Sequence, residues 1–74
     1  MNLTTVDSSM LYAIGYDDEA CELHAVFRSG KTFVYRAVPH EVYGALMASP
    51  SKGQFMRHSV IGEYDEALLS RRRR

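Results

Sequence analysis

Apolar residues recur along this chain with a period of two in its first half and a period nearer four in its second. "MLYAIGY", Met10 to Tyr16, is rich in aliphatic and aromatic residues and predicts a strand. Its alternation is imperfect: Leu11 and Ile14 stand three apart, so alternation alone does not place both on one face, and Gly15 nearby suggests a bulge. Asp17 to Ala20 reads as a polar turn. "CELHAVF" then alternates cleanly, with Leu23, Ala25 and Phe27 on one side and Glu22, His24 and Val26 on the other. Ser29-Gly30 marks the next reversal, where glycine supplies the positive φ of a tight hairpin. "TFVYRAV" predicts a third strand, with Phe33, Tyr35 and Ala37 on one face and Val34 and Arg36 on the other.

At Pro39 the period changes. Proline suits the first position of a helix, and Glu41 in the first turn favours the positive end of the helix dipole. Val42, Tyr43, Leu46 and Met47 form one apolar stripe, and Ser49-Pro50 ends the helix. Ser51-Lys52-Gly53-Gln54 matches a capping box opening a second short helix through Phe55, Met56 and Val60, although Gly53 weakens its first turn. "IGEYDEALLS" predicts a last strand or helical turn using Ile61, Tyr64, Leu68 and Leu69. The expected fold is α+β: a three-stranded antiparallel β-meander followed by two short helices packed on one sheet face (βββαα). Leu23, Phe27, Phe33 and Tyr35 are the expected core face, leaving His24, Val26, Val34 and Arg36 exposed. Residues 1–8 are expected to be a loose N-terminus, 9–65 a single domain, and 66–74 a tail.

Composition narrows the class. Seventy-four residues, 46% of them hydrophobic, allow one small globular domain. No apolar run is long enough to span a bilayer, and Met1 to Ser9 shows no signal peptide. Cys21 is the single cysteine, so a reducing, cytoplasmic setting is expected. The formal net charge of zero conceals an asymmetry, since four of nine basic residues are Arg71 to Arg74 and residues 1–70 carry a charge of −4. An acidic body with a basic end is not the usual footprint of a strong nucleic-acid binder. The arginine run reads either as a solubilising end or as a salt-sensitive anchor on RNA or an acidic partner.

Candidate chemistry is sparse. Gly30-Lys31-Thr32 resembles the end of a P-loop, but Ala25 stands where that motif requires glycine, and a strand follows where it requires a helix. Cys21, His24, His40 and His58 lack paired metal-ligand spacing, and Cys21 and His24 point to opposite faces of one predicted strand. Cys21 is expected to be a small, partly buried residue. No carboxylate pair is placed across a cleft, so no enzyme activity and no cofactor are expected. Binding is better represented. Phe33 and Tyr35, flanked by Lys31 and Arg36, have the spacing of a base-stacking strand, yet a sheet this small more economically buries that aromatic pair. Lys52, the backbone N–H groups near Gly53, Arg57 and His58 form a second candidate, against the plainer reading of an ordinary cap with a solvated lysine.

The order "VDSSMLYAIGYD", then "ELHAVFRSGKTFVYRAVPHEVYGALMASPSKGQF", resembles the KTSC domain, named for its occurrence at the C-terminus of some lysyl-tRNA synthetases. The likeness runs from about Val6 to Tyr64. It rests on Gly15-Tyr16-Asp17, Ser29-Gly30, the pair Phe33 and Tyr35, Val38-Pro39, Ser51-Lys52-Gly53 with Phe55, and Tyr64. Phe33 stands where the family pattern has tyrosine, and Met56-Arg57 follows Phe55 where relatives tend to have asparagine. The resemblance implies a small bacterial-type domain of uncharacterised role, with RNA binding suggested by the synthetase association. Two roles therefore stand open: an RNA- or tRNA-binding module using Lys31, Arg36, Lys52, Arg57, Arg71 and Arg72, or a protein-interaction domain using an exposed sheet face or edge. No membrane partner is expected, and the sequence leaves the oligomeric state open.

Overall fold

The structure, a computed structural model, describes residues 3–71. Its elements run β1 (Thr4–Thr5), β2 (Leu11–Asp17), β3 (Glu22–Phe27), β4 (Lys31–Tyr35), α1 (His40–Ala48), α2 (Lys52–Phe55) and β5 (Glu66–Arg71). α2 continues directly into a π-helical turn, Met56–Val60, closed by the Ile61 N–H on the Met56 carbonyl at 2.7 Å. All strands join one antiparallel sheet in the order β1-β2-β3-β4-β5.

The α+β class is as expected, but the three-stranded meander is only the centre of a five-stranded sheet. Thr4–Thr5 pairs with Ile14 and Ala13 inside the stretch expected to be loose. Glu66–Arg71 pairs with Lys31–Tyr35, so the strand alternative read for "IGEYDEALLS" is the one that forms, inside a stretch also expected to begin a tail. Neither strand shows a usable period. β1 has two residues, and in β5 the adjacent Leu68 and Leu69 break alternation because the register steps from Phe33↔Leu68 to Thr32↔Ser70, leaving Leu69 as an extra residue.

A second bulge lies in β2. The register passes from Leu11↔Phe27 to Ala13↔Val26, so Tyr12 is the inserted residue. Leu11 and Ile14, three apart in sequence, thereby both reach the core with no accessible surface. Gly15 is not the bulge; it sits in regular pairing with His24. The β3–β4 reversal uses Gly30 at φ 100°, with its N–H on the Phe27 carbonyl at 2.9 Å.

The helices cover the face carrying Leu23, Ala25, Phe27, Phe33 and Tyr35. Leu46 of α1, with Met56 and Val60 of the π-helical turn, completes a core that includes Leu11, Ile14, Leu23, Tyr35 and Val38. Val42, Tyr43 and Met47 pack at its edge, as the stripe predicts. On the opposite face Val34 is buried rather than exposed. β5 makes β4 an interior strand, and Val34 lies between His24 and Ala67.

Several end details differ from expectation. Pro39 caps α1 with extended ψ instead of occupying its first turn, and its carbonyl accepts the Val42 N–H at 3.0 Å. Ser51 forms no side-chain cap; its own N–H is held by Ser49 Oγ at 3.1 Å and its carbonyl takes Phe55 N–H, so the reciprocal bond to Gln54 is not needed. β4 ends at Tyr35, and Ala37 is exposed at φ 57° instead of continuing the core face. Cys21 is likewise exposed at φ 56°, in the turn before β3.

Candidate nucleic-acid interface

The segment before β2 folds against the start of α2. Ser8 Oγ accepts the N–H groups of Met10 and Leu11, each at 3.2 Å, which bends the chain into the sheet. The Ser8 carbonyl accepts a hydrogen bond from Arg28 Nε at 2.6 Å, tying this bend to the β3–β4 hairpin. On the other side, Lys52 Nζ donates to the Ser49 carbonyl at 3.0 Å. Between them opens a polar groove of about 340 Å³ whose lining includes Ser8, Met10, Ser51, Lys52, Gly53 and Arg57. It offers hydroxyls and two cationic side chains, the donor set that receives phosphate oxygens.

Strand topology sorts charge along the molecule. Residue pairs Leu11↔Phe27 and Lys31↔Arg71 lie at one end of the sheet, the end where the groove holds Lys52 and Arg57; Arg28 is tied to the groove wall through Ser8, while Lys31 and position 71 lie farther across the sheet at that same end. Pairs Asp17↔Glu22 and Tyr35↔Glu66 lie at the other end, which carries Asp17, Asp18, Glu19, Glu22, Asp65 and Glu66. Of the sequence-derived basic candidates, Lys31, Lys52, Arg57 and Arg71 therefore share one end. Arg36 does not; it sits at the acidic end, 3.8 Å from Glu22, which also approaches His24 at 3.6 Å. Arg72 lies outside the described residues. Asp7 is the acidic exception lining the groove.

Phe33 and Tyr35 form no stacking platform. Tyr35 is 1% exposed, and Phe33 packs edge-to-face on Phe27 with ring centroids 5.8 Å apart. Pro39 is a helix cap, whereas Ser51 and Gly53 line the groove.

A second cluster escaped the sequence reading. Tyr16 donates its phenolic hydrogen to the Val38 carbonyl at 2.5 Å and stacks on Tyr43 with centroids 5.0 Å apart. His40 meets Tyr16 edge-on at 5.5 Å, and its Nδ1 lies 3.1 Å from Asp18 Oδ1. Desolvation, then the Cys21 thiol and the carboxylates of Asp18 and Glu41, raise the Tyr16 phenol above its ordinary range. The cluster fastens the start of α1 to β2 and to the β2–β3 turn. "GYD" and "VPH" were both visible in the sequence, but it takes the fold to bring them together, with the Val38 N–H on the Cys21 carbonyl at 2.9 Å adding a backbone link. Among the described residues no group of three His, Cys, Asp or Glu side chains could hold a metal ion, and no helix is long and apolar enough to cross a membrane.

These features define an α+β domain in which a five-stranded antiparallel meander carries its helices on one face. The chain belongs to the KTSC domain family, whose model matches residues 7–64. It is 41% identical over 64 residues to a protein of Tsukamurella paurometabola, covering 86% of this chain and 96% of that one. An uncharacterised protein of Stutzerimonas stutzeri is also 41% identical, over 54 residues, covering 73% of this chain and 76% of that one. The crystal structure of a KTSC domain protein from Yersinia pestis superposes with a TM-score of 0.91 at 29% identity, covering 93% of this chain and 97% of that chain.

Proposed function

We propose that this domain is a non-catalytic binding module that takes RNA backbone phosphates on its basic end. The observation that carries the reading is the sorting of charge. The body is acidic in sum, yet Arg28, Lys31, Lys52 and Arg57 share the end of the sheet opposite most of the carboxylates, with Lys52 and Arg57 lining a polar groove there. Local potential, not net charge, governs polyanion capture. An RNA partner places the module in the cytoplasm, where the exposed, unpaired Cys21 is at home.

Binding of bulk tRNA to the 74-residue chain, followed by anisotropy across a salt series, tests this. The double variant Lys52→Gln/Arg57→Gln is expected to weaken binding and to flatten the log–log salt slope by roughly 0.7 to 0.9 for each phosphate no longer neutralised. Arg36→Gln, at the acidic end, is expected to leave both quantities unchanged. Equal losses for the two variants would sink the basic-end assignment.

A second reading rests on β5, an open sheet edge bearing Leu68 at 46% and Leu69 at 57% exposure. Such an edge fits strand addition by a protein partner. Its mark would be salt-tolerant binding abolished by Leu69→Lys.

A further inference from the structure

The bulge in β2 leaves an aromatic ring on the surface that regular pairing would not. Tyr12 is 47% exposed while its neighbours Leu11 and Ala13 are buried, and Arg28 lies over its ring with the guanidinium carbon 5.9 Å from the centroid. Tyr12, Val26, Phe27 and Arg28 line a shallow cavity of about 270 Å³, separate from the phosphate groove. The guanidinium is not loose: its Nε donates to the Ser8 carbonyl, and Ser8 is itself part of the groove wall. One side chain thus joins the aromatic cavity to the cationic groove.

We propose that the Tyr12–Arg28 cavity is a nucleobase-stacking subsite for single-stranded RNA whose phosphates run through the Lys52–Arg57 groove. This rests on the RNA reading above. An exposed ring with a pre-held guanidinium offers two flat faces, the platform that splayed single-stranded bases use. Its lining side chains are two aromatic rings, one valine and one guanidinium, so a base is held chiefly through its π-face, with little discrimination between bases. A paired base, stacked within a duplex, cannot enter it. The stacking role first suggested by Phe33 and Tyr35 passes to Tyr12, on the side of the sheet away from the helices.

The test compares a single-stranded uridine hexamer with an abasic ribose-phosphate hexamer of the same charge, each titrated against wild type, Tyr12→Ala, Tyr12→Phe and Arg28→Lys. Wild type is expected to prefer the uridine hexamer. Tyr12→Ala is expected to lose roughly fivefold to a hundredfold of that affinity while keeping its abasic affinity and its salt slope. Tyr12→Phe keeps the ring and is expected to retain the preference; Arg28→Lys, losing the planar group, is expected to lose part of it. An unchanged two-dimensional amide spectrum outside the β2–β3 region verifies that each variant is folded. If wild type binds both hexamers equally, or if Tyr12→Ala loses nothing, the stacking site is overturned while the phosphate reading survives. If wild type binds neither hexamer nor tRNA, both fall together.

Discussion

Tyr35 brings a phenol into the centre of the core, opposite Leu23 on one side and Glu66 on the other. Burial first, and then the neighbouring Glu66 carboxylate, push its ionisation far above the usual tyrosine range. The sign of the consequence is fixed by which state releases the proton. Above about pH 10 the unfolded phenol ionises while the native one keeps its proton, so the unfolded state gains. Stability is fully present below pH 10 and falls as pH rises further, by at most about 1.4 kcal/mol per pH unit for one retained proton. Tyr35→Phe is expected to make urea stability measured between pH 9 and 11 shallower in pH than wild type; an identical pH dependence would clear Tyr35 of any part in alkaline unfolding. This residue's place was legible in the sequence, because Leu23, Ala25, Phe33 and Tyr35 alternate without interruption. Tyr12 was not legible, because a bulge changes which residue faces out and leaves only a broken period as its trace.

The hairpin between β3 and β4 shows how local backbone chemistry decides an element. Gly30 sits at φ 100°, a region that residues with a Cβ avoid, whereas Gly44 sits mid-helix in α1 with open space for at least 4 Å around the place a β-carbon would take. The same substitution should therefore act in opposite directions. Gly30→Ala is expected to cost more than about 1 kcal/mol, whereas Gly44→Ala is expected to gain roughly 0.5 to 1 kcal/mol from reduced unfolded-state freedom and better helix propensity. Urea titrations read both, as opposite shifts in midpoint at constant m-value. Like signs for the two variants would show that backbone conformation does not decide these positions. The hairpin, the stripe of α1 and the stop at Ser49-Pro50 could all be read from local residue types. That the capping box at Ser51 does not form could not be read, because Ser49 takes the Ser51 N–H through a hydrogen bond that the motif does not contain.

At the scale of the molecule, the feature least visible in the sequence is the separation of charge, since it follows from strand order and not from any local run. Counting charges pointed away from a nucleic-acid partner; folding the meander places Lys31, Lys52 and Arg57 at one end and most carboxylates at the other. β5 had the same fate, its doubled leucine reading as irregular until its partner strand is known. That strand supplies the final prediction. Ending the chain at Asp65 removes the partners of Lys31 through Tyr35, turns β4 into an edge and takes Glu66 away from Tyr35. A domain of this size has only about 4 to 11 kcal/mol in reserve, and stripping one edge of an interior strand, with its five paired positions, should consume most of it. The shortened chain is expected to lose cooperative urea unfolding at 25 °C, while Leu68→Ser, which alters an exposed side chain and leaves the ladder intact, should stay within about 0.5 kcal/mol of wild type. Circular dichroism across the titration separates the outcomes: a shortened chain that unfolds at the wild-type midpoint would make β5 an appendage, and the folding unit would then be the four-stranded remainder.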